Sequence, residues 1–422
     1  MKTPTLPLAL YAAATGLLEP LAPALLRSRA QAGKEDPARL NERLGRPTTA
    51  RPEGPLIWLH GVSVGESLSL LPLIDALRTR RPGVTLLVTS GTVTSAALLA
   101  QRLPQGVIHQ FAPVDSPGVA ARFLDHWRPS AGLFVESELW PNLILTAKAR
   151  GVRLALLSAR MTDDSARGWT RAPASAAAML AAFDLILPQD AATADRLSRL
   201  GAHIGPPLNL KLAGPAPPVN EGLVAVLKPA IGGRKVVLVA STHPGEEPLI
   251  AQAVRTAAPD ALLIIAPRHP DRGPQVVADL KGLGFHVARR AAGEPLTTGT
   301  TTYVADTLGE LGALFAVADV VVMGGGFVEG VGGHNPLEPA RLGRAIVTGP
   351  HAFNARDVYA EMFDEAAAVE AQDASALSRH VRGLLTYPLI ARRIGEAALA
   401  YANRQGAALE AAMALLEPLL PA

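Results

Sequence analysis

The sequence predicts an α/β protein made of two doubly wound halves, each a parallel sheet with helices on both faces. Short apolar runs alternate with amphipathic stretches of helical spacing, which is the pattern of βαβ units. The alternation stops at a proline-rich segment, residues 205–218, and then restarts over a similar length. With 422 residues the chain also exceeds what one hydrophobic core usually holds. Two domains are therefore expected.

The predicted elements follow from this alternation in chain order. Buried strands are expected in the first half at residues 56–60, 84–89, 107–111, 131–136, 152–158 and 184–188. They are expected in the second half at residues 235–240, 261–267, 285–289, 301–305, 319–323 and 345–347. The predicted organisation is an N-terminal apolar and basic segment (1–52), a Rossmann-like domain (53–207), a linker (208–220), a second Rossmann-like domain (221–395) and a C-terminal helix expected to pack back on the N-terminal domain (396–422).

The N-terminal segment supports two interpretations. Its leucines fall close to one helical stripe, and Glu19, Pro20 and Pro23 interrupt the pattern, so the unbroken part (6–18) is shorter than the roughly 20 residues of a spanning helix. Residues 1–52 also hold eight Lys/Arg against four Asp/Glu, an excess larger than the +3 of the whole chain. An apolar stripe followed by basic residues suits a helix lying in an anionic membrane surface. Alternatively, the helix packs on the core of the protein itself.

Composition excludes several classes of function. The chain has no cysteine, so disulfides and thiolate metal sites are absent. A net charge of +3 is not the footprint of a nucleic-acid-binding protein, and no nucleic-acid partner is expected. The sequence contains no Walker A motif, no strict Gly-x-Gly-x-x-Gly and no Asp-x-Asp metal pair. We therefore expect neither a metal nor a cofactor.

Residues 61–66 (Gly-Val-Ser-Val-Gly-Glu) join the first predicted strand to a helix, which is where α/β proteins usually carry their chemistry. Gly-x-Ser-x-Gly is the spacing of a nucleophile elbow, which would make Ser63 a hydrolase nucleophile. That hypothesis also needs an upstream oxyanion loop, whereas only a proline- and arginine-rich segment precedes the strand. In the other hypothesis Glu66, in the first helical turn, is the working group.

In the second half, two glycine clusters (324–326 and 332–333) surround the end of a strand and precede His-Asn-Pro-Leu-Glu-Pro (334–339). Asn335 is expected to cap a helix that could bind a phosphate, with Glu338 one turn deeper and within reach of a ribose. A metal pair of His334 and Glu338 lacks a third ligand with sensible spacing. A glycine turn with a cap would explain these residues equally well. Arg268 ends another strand at the same sheet edge and could meet a phosphate.

Six segments together resemble one family, the 3-deoxy-D-manno-octulosonic acid (Kdo) transferases of lipopolysaccharide synthesis. The segments are residues 63–66, 136–142, 241–243, 267–270, 306–311 and 333–339, and the likeness runs in order from about residue 30 to residue 354. The resemblance implies a GT-B glycosyltransferase that takes CMP-Kdo as donor and a lipid A precursor as acceptor. It also implies an inverting, metal-independent transfer at the cytoplasmic side of the inner membrane, with residues 6–26 touching that membrane.

The resemblance also implies roles for individual residues. Glu66 becomes the general base, and Arg268, Lys211 and the helix terminus at Asn335 neutralise the leaving CMP. The remaining donor-side residues would be His269, Ser241, Thr242, Gly333, His334 and Glu338. The acceptor-side residues would be Ser63, Gly65, Glu138 and Arg160. The sequence departs from the family at Gly326, Pro244 and Leu208, where serine, an acidic residue and glycine are usual.

Two alternatives remain beside this prediction. One is the Ser63 hydrolase, and the other is a catalytically silent sugar-nucleotide or lipid-binding protein of the same fold. A GT-B enzyme using UDP-sugars is a more distant option, because nothing in the motifs recognises cytosine directly.

Overall fold

The computed structural model describes residues 4–137 and 139–421. Within it the chain forms two compact units. Unit 1 comprises the chain up to Gly214 together with the residues from Gln405 onward, and unit 2 is Pro215–Arg404. Each unit is built on its own parallel sheet.

Unit 1 contains a six-stranded sheet in the order β3-β2-β1-β4-β5-β6, with every pairing parallel. Its strands are β1 Leu56–His60, β2 Thr85–Ser90, β3 Ile108–Phe111, β4 Ala131–Val135, β5 Arg153–Ala159 and β6 Leu185–Pro188. The order reverses between β1 and β4, so loops at the carboxyl ends of these two strands diverge and leave a crevice. Glu66 and Glu136 follow these two strands.

Unit 2 contains a seven-stranded parallel sheet in the order β13-β12-β11-β7-β8-β10-β9. Its strands are β7 Val236–Thr242, β8 Leu262–Pro267, β9 Val287–Arg289, β10 Thr302–Val304, β11 Val320–Met323, β12 Ala345–Thr348 and β13 Val369–Glu370. Here the order reverses between β7 and β11, and the loops after these strands carry most of the predicted donor residues.

Helices cover both faces of each sheet. Up to the end of the first sheet they are α1 Leu6–Leu18, α2 Ala22–Gln31, α3 Leu40–Arg43, α4 Val64–Arg80, α5 Val93–Arg102, α6 Pro117–Trp127, α7 Pro141–Ala149, α8 Asp163–Thr170, α9 Pro173–Leu180 and α10 Ala191–Arg199. The later helices are α11 Glu221–Ile231, α12 Glu246–Ala257, α13 Gly273–Gly282, α14 Leu311–Val317, α15 Leu337–Ala340, α16 Arg356–Asp364, α17 Ala374–Thr386 and α18 Pro388–Leu416. Short 3-10 turns occur at Glu19–Leu21, Pro37–Arg39, Leu210–Leu212, Pro270–Arg272, Phe353–Ala355 and Glu417–Leu419.

All twelve predicted strands are present, with ends that differ by no more than two residues. They were predictable because strands of a parallel sheet are buried on both faces and appear as continuous apolar runs. β1 and β4, for example, are buried at every position. β13 was not predicted, because it has only two half-buried residues and so leaves no apolar run in the sequence.

The division between the units falls after Gly214, inside the predicted linker (208–220), and again after Arg404 rather than at 395/396. The position inside the linker has a clear physical cause. Leu208 and Leu210 are buried in the hydrophobic core of unit 1, so the first part of the predicted linker belongs to that unit. Met413 and Leu416, from the end of the chain, are buried in the same core.

The α-helix is interrupted where the sequence predicted, since α1 ends at Leu18 and Pro20 lies in a 3-10 turn, but the helical path continues beyond that turn. α1 and α2 are joined by the 3-10 turn, and the helical segment Leu6–Gln31 is long and apolar enough, by length and composition, to cross a membrane. Pro20 and Pro23 stand in the first turns of their helical pieces, where a missing N–H costs no hydrogen bond. Only 6% of the most apolar window of this segment is buried.

The inner face of this segment combines the buried Leu8 and Leu26 with polar side chains, and its outer face is apolar. Glu19 accepts hydrogen bonds from Ser116 Oγ (2.7 Å), the Gly118 amide (3.1 Å) and Arg122 Nη2 (3.0 Å), and Tyr11 donates to Asp115 (2.9 Å). The large exposed side chains are Leu6, Leu10, Leu17, Leu18, Leu21 and Leu25. The predicted leucine stripe therefore faces away from the core.

Three arginines of the basic segment that was predicted to face an anionic membrane surface are instead paired within unit 1. Arg29 and Arg43 both pair with the buried carboxylate of Glu35 (2.9 and 3.2 Å), and Arg39 pairs with Glu42 (2.8 Å). A buried carboxylate needs such partners because desolvating an unpaired charge is costly. Arg27, Lys34 and Arg46 are exposed and remain available to solvent.

Candidate active site

Glu66 lies in the first turn of α4, and its carboxylate points back onto the turn that follows β1. Oε2 accepts hydrogen bonds from the amides of Val62 (2.5 Å) and Ser63 (3.3 Å), and Oε1 accepts one from Ser63 Oγ (3.0 Å). Ser63 Oγ accepts the Glu66 amide in return (3.3 Å), which completes a capping box. Glu66 is only 8% exposed. The carboxylate is therefore held in one orientation and largely shielded from water.

Gly61 permits this close packing. A Cβ at residue 61 would lie 3.1 Å from Cβ of Glu66 and 3.0 Å from Cγ2 of Val135. Both distances are shorter than ordinary carbon contacts, so a larger residue would push the start of α4 away from the strand end. The glycine thus fixes the position of Glu66, a role that the spacing alone did not reveal.

Ser63 does not form a nucleophile elbow. Its backbone has φ −88° and ψ 170°, an ordinary extended conformation, whereas an elbow serine sits on a sharp, strained turn. Its hydroxyl donates to Glu66, and no histidine within residues 4–137 or 139–421 hydrogen-bonds to it. Ser63 is the N-cap of α4, so the hydrolase hypothesis is wrong.

A second carboxylate of unit 1, Glu136, follows β4 and was missing from the predicted site. It is 6% exposed and has φ 59°, a left-handed conformation that costs a non-glycine residue on the order of 1–3 kcal/mol and is concentrated at functional sites. Ser158, at the end of β5, is similarly strained with φ 50°. Glu136 could have been found from its position directly after a predicted strand. The predicted site instead contains Glu138, which lies outside the described residues.

Lys211 and Arg160 both contact Glu136. Lys211 Nζ is 2.7 Å from Glu136 Oε1, and the exposed Arg160 donates its amide to the Glu136 carbonyl (3.2 Å). Lys211 Cε also lies 3.9 Å from the place of a Cβ on Gly65. Lys211, predicted for the donor side, thus belongs to unit 1 together with Gly65, Glu136 and Arg160.

In unit 2, the loop after β7 carries Ser241 and Thr242. Ser241 is a strained non-glycine residue with φ 62°, and its carbonyl would lie 2.6 Å from a Cβ on Gly324, so glycine lets two loops touch there. Thr242 is fully buried and donates its hydroxyl to Glu247 Oε1 (2.9 Å), which also accepts from Arg272 Nη1 (2.7 Å). The Thr242 hydroxyl is therefore used inside the unit and does not line an open pocket.

Asn335 lies just before α15 and its Oδ1 accepts the amide of Leu337 (3.0 Å), but the N-cap residue of the helix is Pro336. The helix is only one turn long, however, and His334 precedes it. A single turn provides little dipole, and the amide of Leu337 is already bonded, so the predicted phosphate site at this helix end is not supported. Gly333 has φ 73° and packs on Ala352. A Cβ at residue 333 would lie only 2.8 Å from Cα and Cβ of Ala352, so glycine is required there.

Three histidines meet at this edge of the unit 2 sheet. His243 Nε2 and His334 Nε2 are 2.9 Å apart in stacked rings, and the ring of His269 lies 6.1 Å from that of His243. Burial, with smaller contributions from His243 and Arg268, lowers the pKa of His334 to about 4. The pair is therefore uncharged at neutral pH. The sequence analysis named His334 and His269 but missed His243, although it follows Thr242 directly.

Arg268 and Glu338 complete this cluster. Arg268 is exposed, donates its amide to the Thr242 carbonyl (3.0 Å) and forms no ion pair with any residue that the structure describes. Desolvation raises the pKa of Glu338, although its side chain reaches solvent, and Arg341 and Arg268 oppose that rise. A guanidinium beside two neutral histidines suits an anionic ligand. No group of three or more His, Asp and Glu side chains in the described part of the chain is placed to hold a metal ion.

Two doubly wound parallel units with polar residues collected at their strand ends define an α/β protein of the GT-B fold class. A UDP-GlcNAc 2-epimerase from Neisseria meningitidis bound to UDP-GlcNAc shares this fold, with a TM-score of 0.55 at 10% identity over 86% of this chain and 100% of that one. The C-terminal CMP-Kdo binding domain of WaaA from Acinetobacter baumannii is 32% identical over 42% of this chain and 97% of that domain, with a TM-score of 0.40.

Residues 38–213 match the family model of 3-deoxy-D-manno-octulosonic-acid transferase (kdotransferase). A probable mitochondrial 3-deoxy-D-manno-octulosonic acid transferase of Arabidopsis thaliana is 38% identical over 81% of this chain and 79% of its own length. The Bordetella pertussis 3-deoxy-D-manno-octulosonic acid transferase is 34% identical over 87% and 89%. The chain therefore belongs to the 3-deoxy-D-manno-octulosonic acid transferase family, which confirms the resemblance and the glycosyltransferase assignment.

Proposed function

We propose that the protein transfers Kdo from CMP-Kdo to a hydroxyl of a lipid A precursor, with inversion and with Glu66 as general base. Membership of the family supports the Kdo donor and a role in lipopolysaccharide biosynthesis. In the proposed step, the acceptor oxygen bonds to the anomeric carbon of Kdo while the bond from that carbon to the CMP phosphate oxygen breaks. The acceptor proton passes to Glu66, and CMP leaves with the bonding electron pair.

The observation that carries this proposal is the fixed, shielded carboxylate of Glu66 after β1. A sugar hydroxyl has a pKa far above 7, so its attack is helped by a base placed to take the proton as the bond forms. The amides of Val62 and Ser63 and the hydroxyl of Ser63 hold the carboxylate in one rotamer. Pre-orientation of this kind lowers the entropy cost of the reaction.

The donor side of the proposal rests on unit 2. CMP is a good leaving group and needs charge neutralisation rather than a general acid. The exposed guanidinium of Arg268, next to the uncharged pair of His243 and His334, supplies one fixed positive charge at that place. Glu338, one turn after Asn335, is assigned to the ribose hydroxyls. Lys211 is assigned to unit 1, where with Glu136 and Arg160 it would contact the phosphorylated acceptor.

We also propose that the N-terminal segment contacts the cytoplasmic face of the inner membrane. Support comes from the orientation of the segment. Glu19 and Tyr11 hydrogen-bond to the rest of unit 1, while the leucine stripe faces outward. Leu17 and Leu21 are 82% and 62% exposed, and a row of exposed leucines of this kind marks an interaction surface. Arg27, Lys34 and Arg46 would meet anionic headgroups.

The experiment that tests the function is incubation of the full chain with CMP-Kdo and tetraacylated lipid A precursor, followed by mass spectrometry of the lipid. We expect the acceptor to gain the mass of one or more Kdo residues, and the omission of added metal ions to leave the yield unchanged. If UDP-sugars serve as donors while CMP-Kdo does not, the donor assignment is wrong. If CMP-Kdo binds without any transfer, the protein is the silent binding protein of the alternative hypothesis.

A further inference from the structure

Glu246 is a fully buried carboxylate that the proposed mechanism does not use. It begins α12, directly after the loop that follows β7, and its side chain has no exposed surface. Burying an ionised group is costly unless hydrogen bonds replace those of water. The contacts of Glu246 therefore indicate what the carboxylate is for.

The carboxylate joins two loops through their backbones. Its Oε2 accepts the amides of His243 (2.9 Å) and Gly325 (2.7 Å), and its Oε1 accepts the amide of Phe327 (2.9 Å). His243 belongs to the loop after β7, whereas Gly325 and Phe327 belong to the glycine loop after β11. These two strands are neighbours in the sheet at the point where the strand order reverses.

The two joined loops carry the donor residues. His243 lies on one of them, and the chain that continues the other leads to His334, whose Nε2 is 2.9 Å from that of His243. Gly325 also accepts the amide of Gly333, so the glycine loop in turn holds the residue before His334. The neighbouring carboxylate, Glu247, has different partners, since it binds Thr242 and Arg272. Of these two carboxylates, Glu246 is the one that hydrogen-bonds to both loops.

We propose that Glu246 is a positioning residue for the sugar-nucleotide donor, which it never touches. By fixing the loop after β7 against the glycine loop, it sets the distance between His243 and His334 and the shape of the surface that receives CMP-Kdo. The inference rests on the proposed function, because it takes these loops as the donor site. If Glu246 only stabilised the fold, its substitution would lower the free energy of unfolding without changing the affinity for CMP.

Glu246→Gln is the informative substitution. Glutamine keeps the volume, and its oxygen can still accept the amides of His243 and Gly325, but its NH₂ group then faces the amide of Phe327. We expect the KM for CMP-Kdo and the Kd for CMP, measured by calorimetry, to rise about tenfold, with the KM for the lipid acceptor unchanged. Glu246→Asp keeps the charge but shortens the side chain by one methylene. It should also weaken the donor and CMP while leaving the KM for the lipid acceptor unchanged, and it replaces the glutamine variant if that variant does not fold.

Asp319→Asn provides the matched control. Asp319 also accepts a backbone amide in unit 2, that of Val236 (2.9 Å), but it lies before β11 at the opposite end of the sheet. It should lower the thermal midpoint without changing the affinity for CMP. If a folded Glu246 variant binds CMP as tightly as wild type, or if Asp319→Asn weakens CMP to the same extent, the inference is overturned. If wild type binds CMP but transfers no Kdo, the proposed function fails and the inference on binding stands.

Discussion

Glu66 combines two tasks that the sequence presents as separate hypotheses. Through its backbone and carboxylate it completes the cap of α4 with Ser63, and the same carboxylate is the proposed base. A capping contact contributes about 1 kcal/mol, so loss of Glu66 affects stability as well as chemistry. The two effects can be separated because the Ser63 hydroxyl supplies the cap, whereas the amides of Val62 and Ser63 still hold the Glu66 carboxylate when that hydroxyl is removed.

Arg268 is the residue on which donor affinity should depend most strongly. We expect Arg268→Ala to weaken CMP about tenfold to hundredfold, because a charge-assisted hydrogen bond to phosphate is worth about 1.5–3 kcal/mol. Arg268→Lys should recover only part of the loss, since an ammonium cannot bind phosphate in the bidentate manner of a guanidinium. Isothermal titration calorimetry with CMP provides the measurement.

Lys235→Ala serves as the control for Arg268. Lys235 precedes β7 at the amino end of the same sheet and pairs with Asp319, so its loss should leave CMP affinity unchanged. Equal weakening by both substitutions would mean that Arg268 acts only through general charge or stability.

At this scale the sequence predicts positions better than partners. Glu66, Arg268 and His334 could be placed in the segments that follow β1, β8 and β11, because these strands appear in the sequence as apolar runs. Hydrogen-bond partners depend on how loops far apart in the chain meet, as Glu246 does with Phe327 across 81 positions. Arg29 and Arg43 are only six and eight residues from Glu35, but a count of charges does not show that the turns between α2 and α3 bring them together, so these charges were wrongly counted as available.

Among the elements, the N-terminal helix shows what a hydrophobic pattern specifies and what it does not. The stripe of leucines is present and exposed, and α1 ends at Leu18, where the sequence predicted an interruption. The pattern did not predict that the helical path continues after the 3-10 turn, or that the other face binds Ser116 and Asp115, because these contacts join residues about 100 positions apart. For α15 the existence of the helix was predicted, but its length was not. The residues before it indicate a helix start, whereas the helix ends after one turn.

The stripe makes a prediction about membranes. Substitution of Leu10, Leu17 and Leu21 by serine should abolish sedimentation with phosphatidylglycerol-containing vesicles, because each leucine would lose about 1.5–3 kcal/mol of burial in the bilayer interface. The thermal midpoint in solution should not fall, since these side chains are 60%, 82% and 62% exposed. The matched control is Leu308→Ser, at an 83% exposed leucine of unit 2.

Vesicle binding of the triple variant at the wild-type level would contradict the membrane contact. A triple variant that fails to sediment but also melts at lower temperature would mean that the stripe packs on protein instead.

For the whole molecule, two independently cored units explain why the alternation in the sequence restarts after the proline-rich segment. Each sheet is parallel and reverses its order at one point, and both functional clusters lie at those points. This level of organisation was predictable, because it follows from strand–helix alternation and chain length. The boundaries at 214/215 and 404/405 were less so, since Leu208 and Leu210 enter a core that the prolines around them conceal.

The stability of unit 1 should depend on pH through two histidines. Burial, with a smaller effect of Arg43, lowers the pKa of His60 to about 3, and burial with Arg39 lowers that of His109 to about 4. A base with a depressed folded pKa contributes stability that is complete above its unfolded pKa of about 6.5 and is lost as the pH falls toward the folded value. At pH 5 each histidine should cost about 2 kcal/mol relative to pH 8.

Urea unfolding followed by tryptophan fluorescence measures this effect, because all four tryptophans lie in unit 1. The free energy of unfolding should be several kcal/mol lower at pH 5 than at pH 8, and His60→Gln should remove about half of the difference. A free energy that is constant between these pH values would show that the two histidines are not buried in the neutral form.

The most direct test of the central claim is the single-turnover transfer rate of Glu66→Gln, with CMP-Kdo and lipid A precursor in excess of their dissociation constants. Glutamine can accept the amides of Val62 and Ser63 and donate to Ser63 Oγ, so the cap survives while the base is lost. We predict a rate at least about a hundredfold lower with CMP affinity unchanged, and a Ser63→Ala control that melts at lower temperature but transfers within a few-fold of wild type. A Glu66→Gln enzyme that transfers Kdo at a near-normal rate would contradict the account.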